Sequence, residues 1–304
     1  MKTKKIIVLG SCNTDMVIQT DRLPVPGETI IGGEFIMTPG GKGANQAVAA
    51  SRLGGNVTFI TKTGNDVFGR QSLELYQNEN INTDYVFSDP NNPSGVALIT
   101  VDKNAENCIV VASGANKTLS KEDVDKCREV IESADILLMQ FEIPLETVEY
   151  AAEIAKNAGV KVIINPAPAA LVSDHLFKNT HMLIPNMTEA EIISGVKVTD
   201  WESAKKAANI INEKGADIVI ITLGSLGALL KIDGIFHEIP IEAKVKAVDT
   251  TAAGDTFCGA LCVAMSEGVA LQDAIRFANR AAGISVTKVG AQVSIPYRKD
   301  IVLP

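Results

Sequence analysis

Val248-Asp249-Thr250-Thr251-Ala252-Ala253-Gly254-Asp255-Thr256-Phe257-Cys258-Gly259-Ala260 sets two acids around a run of small residues and passes directly into an apolar, helix-forming stretch. Ala252, Ala253 and Gly254 carry almost no side chain, so their backbone N–H groups can approach a ligand closely. A helix starting here adds unpaired N–H groups and the positive end of its dipole, which together make an anion site. Asp255 is then a carboxylate standing where an anion would sit, which is unfavourable unless it takes a proton from a bound group. The plain alternative is an N-cap. The small-residue run and the second acid, Asp249, point beyond capping.

The totals narrow the classes. A chain of 304 residues with 46% hydrophobic content can bury the core of one large α/β domain or of two ordinary ones. A net charge of −8 argues against nucleic-acid backbones or anionic membranes as the main partner. No run of 18 apolar residues occurs, and Met1 to Gly10 has an apolar core too short for a signal peptide; it reads as a first strand, and the chain as cytoplasmic. The five cysteines form no CxxC, and Cys258 and Cys262, four apart on a helix, lack the further ligands of a metal site, so reduced thiols are expected. The Asn-x-Thr triplets at Asn56, Asn116 and Asn186 carry no weight without secretion, and His175, His181 and His237 share no motif.

Along the chain, Lys5 to Leu9 is a β-branched run ending at Gly10, as in a central strand buried on both faces. Ligands in open α/β sheets sit beyond the carboxyl ends of such strands, where Asn13, Thr14 and Asp15 follow; an Asx turn is the alternative there. Met16 to Met37 alternates apolar and polar positions between prolines and glycines and suits exposed β structure. Gly95 to Val101 and Asn107 to Val111, joined by residues 102–106, look antiparallel and could pair with it in a small separate sheet. Gly40-Gly41-Lys42-Gly43-Ala44-Asn45 enters a helix running on to Leu53. It is not a Walker A loop, because Gly43 and not Ser or Thr follows Lys42.

A βα rhythm then predicts strands at Val57 to Thr61, Asp135 to Gln140, Val160 to Asn165, Met182 to Pro185 and Asp217 to Leu223. Helices are predicted at Asp66 to Glu79, Ser120 to Ser133, Pro144 to Asn157, Asp200 to Gly215, Thr256 to Ser266 and Leu271 to Val286. Glu142 follows a strand end. Thr188 and Glu191 fit a capping box, and Trp201 a packing residue. Gly224-Ser225-Leu226-Gly227 would let a nucleotide approach closely.

Asp249 to Phe257 resembles the catalytic motif of the ribokinase family of carbohydrate kinases, the phosphofructokinase-B type, and further motifs of that family follow one another in order from end to end. The resemblance implies a three-layer αβα fold for residues 1–304 as a single domain, with a mainly parallel central sheet and a small β lid from segments about 14–38 and 94–111. It implies ATP-dependent phosphorylation of the 5-hydroxyl of D-ribose, with Asp255 as general base and Ala252, Ala253 and Gly254 as the anion hole. Sugar contacts would fall on Asn13, Thr14, Asp15, Gly41, Lys42, Gly43, Ala44, Asn45 and Glu142. Asn186 and Glu189 would serve Mg²⁺ and the nucleotide phosphates, Glu189 through water, since Mg²⁺ commonly keeps its waters. Thr222, Leu223, Gly224, Ser225, Leu226 and Gly227 would form the nucleotide loop, with Asn279 near the adenine. A K⁺ site would use Asp249, Thr251, Ser285, Lys288, Gly290 and Ser294, mostly through carbonyls, and the lid strands would join a homodimer. Kinases of the same fold acting on deoxyribose, fructose or adenosine are alternatives, as is a non-catalytic sugar-binding regulator. An NAD-dependent dehydrogenase would need G-x-G-x-x-G where Gly10-Ser11-Cys12-Asn13 stands.

Overall fold

The computed structural model describes residues 4–104 and 106–301. Thirteen strands are arranged in two sheets among these residues: β1 Lys5–Leu9, β2 Asn13–Gln19, β3 Glu34–Gly40, β4 Asn56–Gly64, β5 Val86–Asp89, β6 Gly95–Val101, β7 Asn107–Ala112, β8 Ile136–Met139, β9 Lys161–Ile164, β10 Met182–Leu183, β11 Ile218–Thr222, β12 Gly227–Ile232 and β13 Ile235–Pro240. The large sheet runs β13-β12-β11-β10-β9-β8-β1-β4-β5, parallel from β11 to β5 and antiparallel at the β11-β12-β13 edge. The small sheet runs β3-β2-β6-β7.

The layering follows from the two-residue period of a strand, which sends neighbouring side chains to opposite faces. In β1, Ile6 and Val8 pack into one core with Ala44, Ala47 and Val48 of the helix Lys42–Arg52 and Leu261 of the helix Ala253–Ser266. Ile7 and Leu9 pack into the other, with Val148 and Ala152 of the helix Leu145–Asn157 and Ala208 and Ile211 of the helix Trp201–Glu213. The central sheet is thus covered on both faces, which is why its strands read as continuous apolar runs.

The structure departs from the sequence reading in several places, among them β5 and a short helix Asp174–Asn179 that the reading did not contain, and Asn13 to Asp15, which open strand β2 instead of forming an Asx turn. The helix expected over Ser120 to Ser133 is two pieces, Lys121–Lys126 and Arg128–Glu132; Cys127 between them has left helical geometry, and its N–H closes a tight turn on the Val124 carbonyl. The β12–β13 hairpin was not anticipated, although Asp233-Gly234, with φ of 50° and 75°, is the dipeptide that a two-residue hairpin turn demands. The last two departures concern helix starts and belong to the site. Of the turn joining β6 to β7, Ala105 lies outside the described residues, as do Met1 to Thr3 of the predicted first strand segment.

The small sheet pairs β2 with β3 antiparallel, β2 with β6 parallel and β6 with β7 antiparallel, so the two exposed segments do join. It leaves Phe35, Leu98 and Val110 between 56% and 68% exposed.

Candidate active site

The loop after β1 and the start of the helix Lys42–Arg52 are locked together by backbone contact. Gly41, at φ 89°, is the helix N-cap, and a Cβ there would lie 2.7 Å from the Asn13 nitrogen. A Cβ on Gly43 would lie 2.6 Å from the carbonyl carbon of Gly10, so only glycine lets the helix start this close. Ala44 N donates to the Ser11 carbonyl at 2.9 Å. Glu142 is drawn into the same corner: its Oε2 accepts from Ser11 Oγ at 2.5 Å and from the Lys42 backbone N–H at 3.0 Å. Asn13, buried beside Thr14, accepts from Asn116 Nδ2 at 2.7 Å, which fixes its amide. The carboxyl group of Asp15 lies directly over Gly40, where a Cβ would come within 2.3 Å of it. Burial, and then the neighbouring Glu142 and Asp255 charges, push the Asp15 carboxyl up to about 6.

Asp255 reaches this pocket from the helix Ala253–Ser266, which packs on the same face of the sheet as the helix Lys42–Arg52. It sits in the first turn of the helix Ala253–Ser266 and not ahead of it, because that helix starts three residues before the expected Thr256. The N-cap is Ala252, in the left-handed region at φ 59°, and no side chain caps the N–H groups. Asp255 therefore does not act as the cap. Its Oδ2 accepts from Asn45 Nδ2 at 3.0 Å and its Oδ1 from Gln46 Nε2 at 2.9 Å. Asn45, expected to reach a ligand, is thus turned onto the carboxylate. Burial raises the Asp255 pKa; Lys42 and the two amide donors pull it back, and Glu142 adds to the rise. For Lys42, burial works against the charge, but Asp255, Glu142 and Glu189 outweigh it and the net effect is upward. The corner thus combines a buried acceptor, a cation among three carboxylates, and the uncapped helix start from Ala252 through Ala253 to Gly254, where a Cβ on Gly254 would meet nothing within 4 Å. Such a set can take a proton at Asp255 while holding an anion at the helix end.

Asp249 ties the corner to the carboxyl-terminal loop. Its Oδ1 accepts from Thr251 N at 2.9 Å and Thr251 Oγ1 at 2.6 Å, and its Oδ2 from Gly290 N at 2.8 Å; these bonds outweigh burial and lower its pKa. The Ser285 and Ser294 hydroxyls, both buried, are occupied by the Ala282 and Ala291 carbonyls, and Lys288 is exposed. Backbone carbonyls are what remain there for a weakly hydrated cation.

Asn186 is the N-cap of the helix Met187–Ser194, and Glu189 its third residue. Asn186 Oδ1 accepts from Glu189 N at 2.8 Å, while Glu189 accepts from Asn186 N at 2.8 Å and Asn186 Nδ2 at 2.9 Å. The capping box therefore falls on Asn186 and Glu189, not on Thr188 and Glu191: the extended backbone at Asn186 lets the helix begin two residues earlier. Burial raises the Glu189 pKa against the pull of Asn186 and Lys42. Among the described residues no group of three His, Cys, Asp or Glu could hold a metal, so Glu189 fits a divalent ion only through water or alongside phosphate oxygens. A parallel bridge joins Asn186 to Thr222, and Leu223 N donates to the Gly227 carbonyl at 2.8 Å, leaving Gly224, Ser225 and Leu226 exposed at the turn. Asn279 Nδ2 lies 3.4 Å from the Ile239 carbonyl at the end of β13.

Ser11, Gln46 and Asn116 bond to the expected residues Glu142, Asp255 and Asn13, and Gln140 and Asn165 bond to Gln46; none of the five carries a motif in the sequence. For Gln46 the signal was its place next to Asn45; for Gln140 and Asn165 it was their place at the carboxyl ends of the predicted strands.

The model of the pfkB family of carbohydrate kinases matches residues 3–298. The chain belongs to that family. Among pfkB relatives, a ribokinase of Haemophilus influenzae is 47% identical over 297 residues, covering 98% of this chain and 97% of its own. A deoxyribokinase of Salmonella typhi is 38% identical, covering 96% and 95%. The structure of Arabidopsis thaliana ribokinase complexed with ribose and ATP superposes with a TM-score of 0.92 at 34% identity, covering 98% of this chain and 97% of that one.

Proposed function

We propose that this chain transfers the γ-phosphoryl group of ATP to the 5-hydroxyl of D-ribose, giving D-ribose 5-phosphate and ADP. The observation that carries the reading is Asp255: a buried carboxylate, held by two amide donors and faced by Lys42, on the first turn of a helix whose leading N–H groups have no side-chain cap. Asp255 takes the proton of the 5-hydroxyl as the sugar oxygen bonds to the γ-phosphorus. The bond to the β-phosphate bridging oxygen breaks, and the N–H groups of Ala252, Ala253 and Gly254 hold the charge on the passing phosphoryl oxygens. Asn13, Thr14, Asp15, Lys42, Glu142 and the turn residues Gly41, Gly43 and Ala44 orient the sugar hydroxyls, with Asn45 acting on Asp255 as well.

Asn186, Glu189, Thr222, the loop Leu223 to Gly227 and Asn279 form the nucleotide side. Mg²⁺ bound with ATP near Glu189 would neutralise phosphate charge. Asp249, Thr251, Ser285, Lys288, Gly290 and Ser294 frame a K⁺ site that would steady the anion corner through the Asp249–Gly290 bond. Residues 1–304 act as one domain in the cytoplasm, with the small sheet as lid and as the clasp of a homodimer.

The test is ADP release with D-ribose, 2-deoxyribose, fructose and adenosine. A site of several hydroxyl-binding groups leaves its own groups unpaired when a hydroxyl is missing, at about 1–3 kcal/mol, or roughly 5- to 150-fold in kcat/KM. Ribose should give the highest value. A higher value for 2-deoxyribose would move the chain to the specificity named for its Salmonella relative, and no sugar-dependent ADP release would overturn the kinase reading.

A further inference from the structure

Behind Asp255 runs a chain of buried amides that the reaction as described does not use. Gln46 is fully buried, and its Nε2 lies 2.9 Å from Asp255 Oδ1 and 3.1 Å from Asn165 Oδ1, while its Oε1 accepts from Gln140 Nε2 at 2.5 Å. Asn165 in turn donates its Nδ2 to the Ile184 carbonyl at 3.0 Å. That last contact decides every orientation, because a backbone carbonyl can only accept. Asn165 must present Nδ2 to Ile184 and therefore Oδ1 to Gln46. Gln46 must then present Nε2 to both Asn165 and Asp255, since reversing it would set its oxygen against two acceptors. Gln140 closes the set by donating to the Gln46 oxygen. The amides come from the helix Lys42–Arg52 and from the carboxyl ends of β8 and β9, three elements fixed in the sheet core.

A permanent donor on Asp255 Oδ1 does two things. It favours the charged carboxylate, opposing burial. With Asn45 on Oδ2, it also fixes the plane of the carboxyl group, and so the lone pair left for an incoming proton. We propose that Gln46, oriented by Asn165 and Gln140, is a positioning residue that keeps Asp255 ionised and aimed at the acceptor hydroxyl. This rests on the reading of Asp255 as the base.

Gln46→Leu keeps the volume and removes the donor. Its kcat should fall at least about tenfold, with KM for ATP changed less than about threefold. The acid limb of kcat against pH should move up by about one to two units, the worth of one hydrogen bond to a charged group. Gln140→Leu, which frees the Gln46 oxygen but leaves the donor, should move the limb in the same direction by less, and it carries the same test should Gln46→Leu not fold. In an Asp255→Asn background Gln46→Leu should add nothing, because its effect runs through Asp255. An unmoved acid limb in both single variants, or a further full loss in the Asp255→Asn background, would overturn the proposal. A fully active Asp255→Asn parent would instead overturn the base assignment beneath it, so the two failures are distinguishable.

Discussion

Lowering the pH from 8 to 5 should weaken ribose binding about tenfold, and the cause should be Asp15. An ordinary aspartate is fully ionised at pH 5, but this one is buried beside Glu142 and Asp255, and its carboxyl is pushed up to about 6. One unit below that midpoint only about a tenth of the molecules keep the carboxylate proposed to accept the sugar hydroxyls, so the apparent affinity should fall by about that fraction. The same shift acts on the empty protein with the opposite sign. Native Asp15 holds its proton more tightly than the unfolded chain does, so its contribution to stability is full below the unfolded pKa of 3.8 and is lost as the pH rises through about 6. Isothermal titration with ribose, in the absence of ATP, at half-unit steps would read the midpoint directly. Glu142→Gln should weaken binding at every pH but move the midpoint down, because a like charge has been removed; Asp15→Asn should abolish the inflection. Affinity that stays flat from pH 5 to 8 would refute the argument that burial raises this group, and a midpoint that Glu142→Gln leaves in place would refute the added push of its neighbouring charge.

Activity should depend on a monovalent cation. Replacing K⁺ by Na⁺ or choline should lower kcat and restoring K⁺ should recover it, and Asp249→Ala, which cuts the link to Gly290, should blunt the response; equal rates in all three salts would remove the site. Sedimentation should give about twice the chain mass of 32.2 kDa, and Val110→Asp, on the face that leaves Val110 68% exposed, should return the monomer. A parent protein that is monomeric at micromolar concentration would mean that the small sheet closes over its own subunit alone.

The central sheet was legible because β-branched runs such as Lys5 to Leu9 announce strands covered on both faces. The β12–β13 hairpin lies outside the βα rhythm, because its strands follow the GxxG loop without a helical interval, even though Asp233-Gly234 signals its turn. Helix starts were the least readable feature. At Asn186 two overlapping capping boxes were possible, and only the extended backbone of Asn186 chooses between them. At Ala252 nothing in the side chain marks an N-cap; a left-handed alanine is a strained choice that tertiary structure imposes. The residues meeting at the site could be named one motif at a time. That Asn45 and Gln46 both turn onto Asp255 could not, since that depends on how the helix Lys42–Arg52 seats against β1 at Gly41 and Gly43.

Asp255→Asn tests the central claim most directly. The substitution keeps shape, and the fold can accept it: Asn45 Oδ1 has no hydrogen-bond partner, so a turn of that amide would let it accept from the new side chain. Single-turnover transfer from γ-labelled ATP to ribose should slow by roughly 10²- to 10⁴-fold, the worth of a positioned base, while titration shows ribose and ATP still bound. Transfer within a few-fold of the parent rate, with both ligands bound, would contradict the account: Asp255 would then be a structural acceptor, and the proton of the sugar would have to leave by another route.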